Sequence, residues 1–304
     1  MRRLLGIAGA AGLLLGLAGC ATGYDPIAPG SSPPVGVPSV PTVTITHGPR
    51  HTDVEQPPPF RVRYGHTELQ LNPTTYCYTN ACVDGAGENL PSVGSPEELY
   101  VFVPVRQFDE LIVHQIEGGD PCTGRHVQAE ATALGEGWWL VRPRGPAGSY
   151  QINLFARGGG DMAANLLWQT PSDRPLPDPT GRIALIADHD GRPDSYGVEL
   201  EVGNLPRAPE QYAATITVTA GNGRSLTFAA TPTKEVCVGE GAIYFDGPDD
   251  KGKQAAALGD FPFTTTVELT LDGVTYVGTG TYPDDEIEDY GPSVSLTFDP
   301  PLPR

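Results

Sequence analysis

An all-β protein made of two β-sandwich domains is what this sequence predicts, and three observations carry the prediction. Glycine supplies 38 and proline 32 of the 304 residues, a content that interrupts long helices and favours short strands and turns. From Phe60 onwards apolar and polar residues alternate in short runs, the period of a strand with one buried face. Clusters of Gly, Pro and Asp separate those runs at the spacing of a sandwich. A hydrophobic content of 39% can fill one or two such cores. The charge balance excludes one class of partner. Against 19 Lys and Arg stand 37 acidic residues, a net charge of -18. That repels phosphate backbones, so no nucleic-acid partner is expected.

In chain order, Arg2 and Arg3 precede an apolar run over residues 4–18. The run is shorter than the ~20 residues of a spanning helix and fits a secretory signal peptide over 1–19. It ends in Leu17-Ala18-Gly19-Cys20, which resembles the lipobox of bacterial lipoproteins. The resemblance implies a diacylglycerol on the Cys20 thiol, cleavage before Cys20 and acylation of the new amine with a fatty acid such as palmitate. The alternative is an ordinary secretory signal with a chance cysteine. A lipidated Cys20 makes the membrane a partner and places the chain on the extracytoplasmic face of the cell membrane. Two acyl chains suffice for stable anchoring. The acidic body is expected to stand off anionic lipid.

Residues 20–59 read as a disordered proline-rich tether. Pro33-Pro34 and Pro57-Pro58-Pro59 are among its prolines, which remove amide donors and fix φ. Fully extended, such a spacer reaches ~100 Å. Residues 42–46 alternate β-branched side chains and could add an edge strand. His47, His51, Asp53 and Glu55 lie close together there. A metal site and a solvated loop are the two readings, and a proline-rich stretch does not preorganise ligands.

The first sandwich is expected over 60–172. Phe60, Val62 and Tyr64 alternate with arginines, and 68–71 alternate again. Further strands are read at 99–105, 111–116, 125–133 and 138–142. Trp138 and Trp139 are strand neighbours and must face opposite ways. The outward one is either a ligand platform or is covered by a loop or the second domain. Residues 148–154, the Gly158-Gly159-Gly160 turn and the run through Trp168 form a closing hairpin that resembles the last strand pair of immunoglobulin-like domains. Tyr150 sits where such domains place a corner tyrosine. Pro171, Pro175, Pro177 and Pro179 mark a linker, drawn at 173–180. A second immunoglobulin-like β-sandwich is expected over 181–302. There Val198, Leu200 and Val202 share one face, and Asn222-Gly223 and Asp272-Gly273 are hairpin turns between alternating runs. One short helix is read at 249–258, capped by Asp249 and Asp250 and ended by Gly259.

Once Cys20 is lipidated, Cys77, Cys82, Cys122 and Cys237 remain, and an exported chain is expected to oxidise them. Three lie in the first region and one in the second, so every complete pairing joins the two. The preferred pairing is Cys77–Cys82 with Cys122–Cys237, because the segment between Cys77 and Cys82 can turn back on itself. A bridge from Cys77 or Cys82 to Cys122, and a free Cys237 thiol, stay open. The segment Tyr76-Cys77-Tyr78 with Cys82-Val83-Asp84-Gly85 resembles uncharacterised two-domain lipoproteins of GC-rich Gram-positive bacteria, a resemblance that carries no activity.

No catalytic signature is present: the chain has no Gly-x-Ser-x-Gly elbow, no His-Glu-x-x-His and no P-loop. No catalytic residue, cofactor or metal is therefore assigned. Asp188, Asp190 and Asp194 faintly resemble a calcium loop but lack its distal glutamate, and a capped turn is the other reading. Asp284, Asp285, Glu286, Glu288 and Asp289 form an acidic cluster with the same two readings, calcium or a solvated loop. The expected function is a cell-surface binding or structural envelope lipoprotein whose partner is an envelope protein or a glycan. The alternatives are a secreted hydrolase with a site invisible in sequence and a solute-capturing transporter component.

Overall fold

Strands dominate the computed structural model, which describes residues 24–28, 33–39, 43–87, 89–233, 237, 239–287 and 291–304. The expected signal peptide and Cys20 lie outside the described residues. Among the described residues no helix is long and apolar enough to cross a membrane.

The first half is a two-sheet sandwich. One sheet has β1 (Val43–His47), β3 (Thr67–Leu71), β2 (Phe60–Tyr64), β6 (Leu99–Phe102), β10 (Trp138–Arg142) and β9 (Glu130–Gly135) in that spatial order. The other has β5 (Ala81–Val83), β4 (Thr75–Tyr78), β12 (Asp161–Thr170), β11 (Gly148–Arg157), β7 (Glu110–Glu117) and β8 (His126–Gln128). Alternation decides what lies between them: Phe60, Val62, Leu99 and Val101 from one sheet meet Tyr76, Ile152, Leu154 and Trp168 from the other, all fully buried. The run read as one strand over 125–133 is two strands on different sheets. The chain crosses between them at buried Ala129, whose N–H donates to Val113 O at 2.9 Å. Tyr150 makes the expected corner: its hydroxyl donates to Pro146 O at 2.8 Å.

The second half corrects the expectation of another sandwich. It is a closed antiparallel barrel of β13 (Thr180–Ala184), β16 (Glu199–Gly203), β19 (Ile243–Asp246), β18 (Ser225–Pro232), β17 (Tyr212–Ala220), β20 (Phe263–Leu271), β21 (Val274–Tyr282) and β22 (Ser293–Asp299). Closure comes from β22 returning to β13, with Ile183 opposite Val294 and Gly181 opposite Leu296. Eight strands enclose a space that side chains just fill; here Leu200, Ile216, Phe245, Phe263, Val267 and Leu269 fill it. Both expected hairpin turns form: Asp272 and Gly273 take φ of 47° and 83°, and Gly223 takes 82°. A small hairpin of β14 (Ala187–His189) and β15 (Arg192–Asp194) stands outside the barrel.

The helix α1 (Asp249–Ala256) is where it was read, but its ends differ. Pro248 is the N-cap without a side-chain hydrogen bond, and Ala257 ends it in a right-handed conformation. Asp250 instead accepts from Gln254 Nε2 at 2.7 Å. Ala255 and Leu258 are buried in the barrel core.

The tether is also corrected over its described residues. Tyr24 donates to Gly159 O at 2.8 Å and packs on Tyr78. Ile27 pairs with Pro104 through its N–H and is only 7% exposed. Residues 43–47 do form an edge strand, parallel to β3. These segments fold back because the outer face of the first sheet is unusually apolar. Tyr100, Phe102 and Trp138 lie on it, and Ile27 and Val37 cover them. Trp138 is the outward tryptophan, yet it is 1% exposed. The Arg61 and Arg63 guanidinium carbons sit 5.3 and 4.5 Å from its ring centroid. Arg63 is completed by Glu68 at 2.7 Å and by Pro38 O. The ligand-platform reading of this tryptophan therefore fails.

Candidate functional site

Both disulfides take the preferred pairing, Cys77–Cys82 and Cys122–Cys237. The first closes the β4–β5 hairpin, where Cys77 stands directly opposite Cys82 and Thr79 supplies the turn with a φ of 52°. The second ties the sandwich to the barrel across 115 residues of sequence.

Sequence reasoning missed what surrounds that second bridge. Arg125, 5% exposed, leaves the sandwich and enters the barrel side. Its Nη1 donates to Leu205 O at 2.8 Å, and its Nη2 donates to Pro206 O and Glu240 Oε1, both at 3.0 Å. Glu240 N–H donates back to Gly124 O at 3.1 Å. Gly239 and Gly241 flank Glu240 with φ of 73° and 79°. A Cβ on the first would run into Gly124 O, and one on the second into the Arg125 guanidinium and Leu205 O. Only glycine allows both the backbone shape and the close approach. The Gly-Glu-Gly triplet was the available signal.

Beside this junction the barrel wall carries a polar strip. Ile183, Leu200 and Val202 point into the barrel, so alternation turns Arg182, Glu199 and Glu201 outward. Arg182 stands opposite Glu201 in the ladder and donates to its carboxylate. It also reaches Ser293 Oγ at 3.4 Å. Tyr244 stands opposite Glu201 on the next strand. Burial, and then its hydrogen bond to Glu199, raise the Tyr244 phenol well above the ordinary tyrosine value.

Two depressions lie along the strip. One, of about 380 Å³, is bounded by His114, His126 and Gln128 of the sandwich and by Arg182, Glu201, Asn204 and Glu240 of the barrel. The other, of about 210 Å³, is bounded by Arg182, Glu199, Tyr196, Pro292 and Ser293. Arg182 lines both, so they lie end to end along β13. Together they form a groove that starts at the domain junction and ends under Tyr196, which is 71% exposed. His189 Nδ1 lies 3.3 Å from the Tyr196 hydroxyl.

At the junction end, burial and then the neighbouring His126 hold the His114 imidazole below the usual histidine range. His126 Nε2 is buried without a hydrogen-bond partner. The His114 ring is therefore a hydrogen-bonding group without charge at neutral pH.

The other sequence candidates are structural. Asp188 Oδ1 accepts from Gly191 N–H at 2.6 Å, and Asp194 Oδ1 accepts from Ser195 N–H at 2.7 Å. Asp190 takes the left-handed turn position, with φ of 54°. These carboxylates hold the β14–β15 hairpin. Asp285 Oδ2 accepts from Thr281 N–H at 2.8 Å; Glu288 and Asp289 lie outside the described residues. His51 packs edge-on to buried Tyr76 at 6.0 Å. The three glycines 158–160 turn between β11 and β12. Among the described residues no three His, Cys, Asp or Glu side chains converge on a metal-sized site.

No family model and no curated protein matches this chain.

Proposed function

We propose that the protein is a membrane-anchored lipoprotein of the cell envelope, held at the extracytoplasmic face by lipid on Cys20 and acting as a binding or structural module. The observation that carries this is the pair of disulfides. They consume all four cysteines that follow Cys20, as suits an oxidising compartment. The Cys122–Cys237 bridge and Arg125 fix one orientation of sandwich and barrel, and a preorganised surface loses less entropy on binding. The Tyr150 corner supports an immunoglobulin-like reading of the sandwich. The partner is an envelope protein or glycan.

Folding of the tether changes the expected geometry. Tyr24, already packed on the sandwich, is four residues from Cys20, a reach of at most ~14 Å. The sandwich then rides close to the membrane. Metabolic labelling with palmitate tests the anchor. Labelled protein in the membrane fraction, and its release unlabelled by Cys20→Ala, is the expected result; an unlabelled wild-type chain overturns the reading.

A further inference from the structure

We infer that the groove along β13 binds a neutral oligosaccharide chain, which deepens the envelope-binding reading by naming its site and ligand class. The floor is built from donors and acceptors in which the arginines are already paired. Arg182 is paired with Glu201 and Arg125 with Glu240, Glu199 adds a carboxylate hydrogen-bonded to Tyr244, and His114 presents a ring that burial keeps uncharged. Such a surface offers many hydrogen bonds while its arginines are already paired, the complement of an uncharged polyhydroxylated chain. A polyanion is disfavoured by the net charge of -18. A peptide adding as a strand needs an open sheet edge, and the barrel wall here has none because β13 is paired on both sides, with β16 and β22. The outer end supplies the remaining element of sugar recognition. Tyr196 exposes 71% of its surface beside Glu199 and Ser293. A broad ring there packs against the apolar face of a pyranose while its neighbours bond the hydroxyls.

The test uses the full mature chain with both disulfides intact. Neutral oligosaccharides released from bacterial envelope polysaccharide and fractionated by length are titrated by calorimetry, with acidic oligosaccharides and neutral peptides in parallel. Saturable binding of a neutral fraction is expected, with acidic fractions and peptides inert. Tyr196→Ala, at an exposed position, is expected to weaken binding by about tenfold or more, as loss of one anchoring aromatic does. Tyr196→Phe keeps the ring and is expected to retain most of the affinity. Arg182→Gln is expected to weaken it as well. Failure of every neutral fraction, selective binding of peptides, or affinity unchanged in both Tyr196→Ala and Arg182→Gln overturns the proposal. The palmitate experiment reads the anchor separately: sugar binding by an unlabelled chain leaves the groove standing and removes only the membrane placement.

Discussion

Arg125 stands in a run that reads as an ordinary strand, yet it is the residue that seats the barrel on the sandwich. Removing it leaves two backbone carbonyls without donors at a buried junction. Arg125→Ala is expected to cost about 1–3 kcal/mol in chemical denaturation, and Arg125→Lys to recover only part, because an ammonium lacks the forked geometry. His114 sets an acid limit. Its folded form resists protonation, whereas in the unfolded chain the ring titrates near ~6.5. The unfolded state therefore binds more protons below that pH, and stability falls as pH drops through it. His114→Gln is expected to flatten this loss in denaturation curves taken across the mildly acidic range. Tyr150 contributes to the alkaline limit. Burial, and then nearby Glu117, push its phenol up to about 12. Stability is then full below the ordinary tyrosine value and is lost as pH rises through about 12. Tyr150→Phe is expected to remove the Tyr150 share of that alkaline dependence, with Tyr244 still contributing, and to lose about 1 kcal/mol with the bond to Pro146 O.

Strands and hairpins were legible because their signals are local. The period-2 run at Val198, Leu200 and Val202 and the Asp272-Gly273 turn each depend on a few adjacent residues. The placement of residues 24–28 and 33–39 was not legible, because proline and glycine content reports only that they cannot form regular structure. What holds them is a distant apolar face: Trp138 and Phe102 would be exposed without Ile27. Ile27→Ala is expected to cost about 2 kcal/mol and to shift tryptophan fluorescence to the red as water reaches Trp138. Unchanged emission would mean that the segment does not cover the sheet. The split of 125–133 into β8 and β9 has the same origin. Nothing in the run marks the crossing at Ala129, which follows from where β7 and β10 already lie.

At the scale of the whole molecule, the staple between sandwich and barrel governs behaviour. Peptide mapping without reduction should recover Cys122 linked to Cys237 and Cys77 linked to Cys82. Replacing Cys122 and Cys237 together by serine is expected to cost about 4–5 kcal/mol, since a loop of this length gains that much freedom when unfolded in the chain-entropy account. Solution scattering should also show a broader range of shapes if Arg125 is removed as well. The groove belongs to this scale too, since His126 and Glu240 meet only when the two halves dock. From sequence alone came the all-β class, the position of most strands, the tight hairpins and a preference among the disulfide pairings, because alternation, turn chemistry and cysteine parity act over short range or by counting. Only the tertiary structure decided that the second half closes into a barrel, that the proline-rich segment covers the first sheet, and that a polar groove runs from the junction to Tyr196. A sandwich and a barrel share the same alternation within each strand. They differ only in whether β22 finds β13, and that contact between the two ends of the region is written in no local pattern.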